Sequence, residues 1–358
     1  MEFHEINHNM VILARQVEGL TQLELSRMLG IDQGKLSKIE HGLIRINEEL
    51  FDALCTALNF PRDFFFQPGE IYPTELYLFR KRKTLPQKFC DQITSLLNIQ
   101  YLQLLKLYQS VNVETNIPMF DLDEYSSPKE VALKLRHLWK IPFGRIDNLT
   151  ALVESSGIAI LHLDIRTDKF DGIKFVGNSF PLIALNKNMP PDRMRLTLAE
   201  EFGHLLMHKI PTASSDDEAR EFALEFLIPS NQIEFPSQRI TLSHLADLKR
   251  YWKVSMAALL YKAKDLGKVT PMQYQYLWKQ MSQLKYRKRE PAELDPPFEN
   301  TKLIKKIFNL YKNEYGYTLE DFIKLFSINE DRFKQWWKHY YDLPEKENHL
   351  KLVRKDSF

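Results

Sequence analysis

Glu200, Glu201 and His204 stand at positions i, i+1 and i+4 of an apolar stretch, TLAEEFGHLLM (Thr197 to Met207), and His208 continues the same spacing. On a helix, residues four apart share a face. Side chains at i and i+4 can therefore grip one ion, and the residue after the first sits beside a metal-bound water. Glu200 and His204 have ligand spacing, and Glu201 has the spacing of a general base. A third ligand must come from elsewhere. The next amphipathic stretch, DDEAREFALEFLIP (Asp216 to Pro229), offers Glu218 at its head. Zinc held by three protein ligands with one water position open would be catalytic.

Glu200 complicates that chemistry. Carboxylates ligate zinc at ~2.0–2.2 Å, but Glu200, Glu201 and Glu218 would crowd one ion with negative charge. That weakens its Lewis acidity and raises the pKa expected of its bound water. Without metal, clustered carboxylates raise one another's pKa and take up protons. His208 can pair with His204 from the other side, or stand as a structural residue just beyond the site.

Elements to hold these groups are legible on both sides. Asn148 to Ser156 has helical spacing. Three strand-like runs follow, Ile158 to Leu161, Gly172 to Val176 and Pro181 to Asn186, punctuated by Asp171-Gly172 and Gly177-Asn178. A small sheet leading into the helix of Glu200 and His204 predicts an α+β domain. Before it, Gln87 to Val111 has helical spacing, the stretch NVETNIPMFDLDEYSSP reads as a linker, and Ser127-Pro128 opens a helix through Trp139.

The N-terminal stretch TQLELSRMLGIDQGKLSKIEHG predicts two short helices joined at Gly30. Thr21 caps the first, through Leu29, with Leu20, Leu25 and Met28 inward and Ile31 plugging the corner. Asp32 caps the second, with Leu36 and Ile39 inward and Gln33, Lys35 and Lys38 outward. Gly42 ends it. Two short helices joined by a glycine turn make a helix-turn-helix. The stretch resembles the XRE (lambda-repressor-like) family in Gln22, Leu25, Ser26, Gly30, Leu36, Ser37, Ile39, Glu40 and Gly42. The resemblance implies that the second helix enters the major groove of an operator. Gln33, Gly34 and Lys38 would then approach bases, and Gln22, Lys35 and Ser37 would meet phosphates. Residues 1–68 carry six basic and ten acidic side chains, which disfavours phosphate binding by a single copy. A dimer, or the run Arg80-Lys81-Arg82-Lys83, would compensate; that run also reads as a solvated face.

The stretch around Glu200 falls one side chain short of the zinc-protease motif H-E-x-x-H. With Arg195, Ala199, Gly203 and His208, then Ala219, Phe222, Ala223, Leu227 and Pro229, it resembles the ImmA/IrrE metallopeptidase family over about 128 to 290. That resemblance implies His204 and Glu218 as zinc ligands and Glu201 as base, and it leaves Glu200 unmatched. It also implies a regulator, because XRE domains occur fused to this peptidase domain.

The 358 residues are 44% apolar, with Lys+Arg 49 against Asp+Glu 47, so total charge predicts neither a nucleic-acid coat nor an acidic tail. Cys55 and Cys90 read as buried free thiols, pointing to the cytosol. There is no 18-residue apolar run, and MEFHEINHNM does not read as a signal peptide. After the loop 285–297, residues 301–341 are helical. GYTLEDFIKLFSINEDRFKQWW (316–337) has helix-turn-helix spacing without glycine at the turn, and reads as a packing or dimerisation module. The tail from Pro344 reads as loose.

The expected architecture is multidomain. It comprises an all-α helix-turn-helix domain (1–68), a helical connector and linker (69–125), an α+β zincin-like domain with a small sheet (126–290) and an α-helical C-terminal region (291–358). The expected function is a cytoplasmic, homodimeric regulator of a double-stranded DNA operator, with no membrane contact. Its peptidase-like domain would sense a signal, set dimer geometry or hold a partner protein encoded nearby. An active zinc endopeptidase that cleaves a repressor or antitoxin is the alternative. An antitoxin-like or defence-associated scaffold repressing its own operon is a third.

Overall fold

A computed structural model describes residues 3–72, 86–167, 169–176, 179–210, 212–237 and 239–341. The chain divides into two compact units, residues 1–113 with 303–358, and residues 114–302. The basic run 80–83 and the tail from Pro344 lie outside the described residues.

The first unit begins with β1 (Phe3–His4), which pairs antiparallel with β2 (Ile46–Asn47). Between and after them come α1 (His8–Val17), α2 (Gln22–Met28), α3 (Gln33–Glu40) and α4 (Glu48–Leu58). Each start has a side-chain cap. Thr21 and Glu24 form a reciprocal capping box, and Asp32 and Asn47 accept first-turn amides. Gly30 turns the chain between α2 and α3 at φ +66°, a left-handed value that glycine adopts without strain. Leu25, Leu36 and Ile39 are buried with Leu13, Ala14, Phe51 and Leu54. Met28 departs from expectation, because it is 57% exposed. The buried neighbour of Leu25 is Ser26, which centres the inward face of this two-turn helix away from Met28. A long helix, α5 (Gln87–Tyr108), packs along α1. Cys55 is half-buried and Cys90 buried, and both are free thiols; burial pushes the Cys55 thiol up to about 11.

The second unit holds α6 (Pro128–Leu138), α7 (Leu149–Glu154) and a three-stranded sheet of β3 (Ala159–Leu163), β4 (Gly172–Val176) and β5 (Pro181–Asn186). Its order is β3-β5-β4, with β5 parallel to β3 and antiparallel to β4. Next come α8 (Pro191–Met207), packed on β4 and β5, and α9 (Ser215–Leu227), packed on α8 and α6. Phe202, Phe222 and Phe226 fill the centre, with Trp139 stacked on Phe202 at 5.4 Å. Gly203 permits the close approach of α8 and α9, since a Cβ there would lie 2.7 Å from the Phe222 ring. Three helices complete the unit: α10 (Leu242–Trp252), α11 (Met256–Asp265) and α12 (Pro271–Gln283).

The chain then returns to the first unit as α13 (Leu303–Tyr315), α14 (Leu319–Phe326) and α15 (Glu330–Tyr341), with α13 and α14 against α5. Phe308, Phe322, Phe326, Phe333 and Trp337 form a buried aromatic cluster. The Trp337 indole N–H donates to Gln103 on α5 at 2.9 Å, and the Tyr311 hydroxyl donates to the Leu107 carbonyl at 2.9 Å. Ser327 takes the turn between α14 and α15 at φ +50°. Among the described residues, no helix is long and apolar enough to cross a membrane.

Candidate functional sites

The last turns of α8 carry His204 and its C-cap His208, and α9 presents Asp216 and Glu218 to them. His204 Nδ1 lies 3.0 Å from His208 Nδ1, and His208 Nε2 lies 2.9 Å from a Glu218 carboxylate oxygen. His204 Nε2 is 3.3 Å from Asp216. Burial, and then the neighbouring His204, push His208 down to about 4 against the pull of Glu218. The lowered value favours the neutral imidazole of His208, which has one N–H to donate. Because a carboxylate only accepts, the tautomer that satisfies both contacts places that N–H on Nε2 toward Glu218 and has His208 Nδ1 accept from His204.

Lys174 closes the site from β4. Its side chain is buried and its amine donates to the carbonyls of His204 at 2.9 Å and His208 at 2.7 Å. The final carbonyls of a helix have no partners within it, and a cation there also opposes the negative end of the helix dipole. Burial draws the Lys174 amine down to about 8, with Glu201 pulling the other way. The backbone N–H of Lys174 donates to the Glu201 carboxylate at 2.9 Å. The residue in the general-base position is thus held by the edge strand of the sheet.

These bonds engage His208, while His204 keeps Nε2 directed toward Asp216. A zinc-bound imidazole must offer a lone pair to the metal. Glu200 is half-buried on α8. Among the described residues, no three His, Cys, Asp or Glu side chains converge in a group that would hold a metal ion. His204 and Glu218 are joined through His208. Sequence spacing pointed to His208 only as a side option and did not single out Lys174. Its one signal there was an amine set inside the apolar run Ile173 to Phe175.

In the first unit, α3 turns Gln33, Gly34, Lys35 and Lys38 to solvent, with Ser37 half-buried. Gln33 donates weakly to Gln22 at 3.4 Å, and Gln22 donates to Glu40 at 2.8 Å. Glu40, 2% exposed, also receives Arg15 through Nε at 2.6 Å and Nη2 at 3.1 Å. A buried ion pair thus sets the side chain against which the first residue of α3 rests. Some of the acidity of this unit is internally paired. Glu24 accepts from the Thr21 amide and from Lys88 at 3.1 Å, holding its carboxyl down to about 2.

Residues 13–65 match a family model described as helix-turn-helix, and residues 153–264 match one described as IrrE N-terminal-like domain. No curated protein matches the chain. The two matches support a DNA-binding regulator that carries a peptidase-like domain.

Proposed function

We propose that the helix-turn-helix reads an operator and that the IrrE-like domain holds a signal or a partner protein rather than cutting a peptide. The observation that carries this reading is the solvent-facing start of α3, where Gln33 rests on Gln22, itself held by Glu40, with Lys35 and Lys38 beside it. A glutamine here suits a bidentate pair with adenine, and the lysines suit guanine edges or phosphates. A homodimer follows from charge. With six basic against ten acidic side chains in residues 1–68, one copy neutralises few phosphates, and two copies double the contacts.

Selection of binding sites from a random duplex pool, followed by titration of the selected site, tests this directly. Gln33→Ala and Lys38→Ala should each weaken the selected site by about 1–3 kcal/mol and relax its sequence preference. Unchanged affinity in the double variant would remove the DNA reading.

The competing reading is a zinc endopeptidase, favoured by Glu201 and His204 at base and ligand spacing and by the IrrE-like match. If the domain does not cleave, protein purified without added zinc carries far less than one equivalent. Glu201→Gln then leaves operator binding and regulation intact. Near-stoichiometric zinc, together with loss of regulation in a folded Glu201→Gln variant, would select the peptidase instead.

A further inference from the structure

The start of α8 borders a pocket of about 600 Å³ lined by Arg166, Arg193, Lys288 and Arg289, with the single carboxylate of Asp171 among them. Arg193 and His204 are eleven residues apart on one helix, roughly 16 Å at 1.5 Å per residue, so this pocket is separate from the histidine cluster. Its cations arrive from three segments: the loop after β3, the first turn of α8 and the turn after α12. Convergence of that kind concentrates positive charge that no single stretch of sequence displays.

Two of the four guanidinium or ammonium groups are turned toward carboxylates. Arg193 donates to Asp171 at 2.8 and 3.1 Å, and Arg289 pairs with Asp295, which is outside the lining. Among the described residues, Arg166 and Lys288 have no ion pair; Asp164, the acidic group that feels Arg166, is held by Lys187 and Asn188. The helix start does not supply the binding groups. Pro190 and Pro191 have no N–H, and the Arg193 amide is given to Asp192 at 2.8 Å. Recognition therefore falls to side chains. Met189, Pro190 and Pro191 add apolar surface to the lining. Asn186 fixes the rim by donating to the Thr167 and Phe170 carbonyls, both at 3.0 Å.

We propose that this pocket binds a phosphorylated small molecule of nucleotide size, with phosphate on Arg166 and Lys288 and a flat ring against Met189 and Pro190. Guanidinium forks match phosphate oxygens in pairs, and the volume falls in the range of small-molecule sites.

Calorimetry on the full chain without DNA reads binding whether or not an operator exists. The probes are ATP, AMP, adenosine and a random-sequence duplex. ATP should bind more tightly than AMP, and AMP at least tenfold more tightly than adenosine. Arg166→Ala/Lys288→Ala, both at the pocket wall and outside the core, should weaken ATP at least tenfold while circular dichroism stays unchanged. Absence of ATP binding at millimolar concentration overturns the proposal, as does adenosine equal to AMP or a double variant that binds ATP normally. If only duplex binding falls in the double variant, the surface is a DNA contact and the small-molecule site is rejected.

Discussion

Replacing Lys249 with methionine is expected to destabilise the second unit by about 3–5 kcal/mol at neutral pH. Lys249 on α10 is fully buried, and its amine lies 2.6 Å from Asp192 on α8 and 2.7 Å from Glu290 after α12. Glu290 in turn accepts the amides of Met256 and Ala257 at 3.0 and 3.2 Å, where it caps α11. One ammonium thus ties three segments together. Burial alone would pull its pKa down, but the bonds to Asp192 and Glu290 more than reverse that and hold it above the ordinary value. Truncation removes the ammonium bonded to both buried carboxylates and leaves them only the through-space pull of Arg289, and that poorly compensated charge is the source of the penalty.

The pH dependence of this variant has a definite sign. Buried carboxylates without a partner take a raised pKa in the folded state. Between the unfolded value of about 4 and that raised value, the folded variant binds more protons than the unfolded chain. Its stability therefore falls as pH rises through this window. The deficit relative to wild type should be largest near pH 7 and shrink toward pH 4. Hydrogen exchange resolved by peptide, which reports the second unit separately, measures it. A deficit below about 1 kcal/mol at pH 7, or one that does not change with pH, would show that the triad is not the element holding these helices.

Local signals made much of this legible in the sequence. Thr21, Asp32 and Ser127 each cap the helix expected of them, and the runs Gly172 to Val176 and Pro181 to Asn186 are strands with those limits. Such features depend on a few neighbouring residues, so spacing reveals them. The pairing of α13 and α14 with α5 was not legible. The aromatic face of Phe308, Phe322 and Phe326 announces burial, but nothing in its period says which distant helix it meets.

The histidine cluster divides in the same way. Glu200, Glu201, His204 and His208 are placed on one helix by spacing, and Glu218 on the next. Their bonding is shaped by Lys174, which comes from β4. Lys174 takes the carbonyls at the end of α8 and fixes Glu201 through its own amide. Distant residues thus change the chemistry that spacing alone suggested. The cationic pocket was missed for a related reason, since Arg166, Arg193 and Lys288 are far apart in the chain.

Arg15→Met is expected to destabilise the helix-turn-helix by about 3–5 kcal/mol, because it strands Glu40 as a buried charge. The pair is 8% and 2% exposed, with two hydrogen bonds between the groups. The double variant Arg15→Met/Glu40→Met should be markedly more stable than Arg15→Met, since replacing both charges by apolar side chains removes the desolvation problem along with the attraction. DNA binding separates these variants from each other. Glu40 also holds Gln22, which receives Gln33, so the double variant should fold well and still bind a selected operator more weakly. Gln22→Ala, which leaves the ion pair in place, should reproduce that weakening by about 1 kcal/mol, the scale of one hydrogen bond, with little change in stability. Equal operator affinity in wild type, Gln22→Ala and the double variant would confine the Arg15–Glu40 pair to folding. Weakened binding in both would make the buried pair the support that orients the first reading residue of α3.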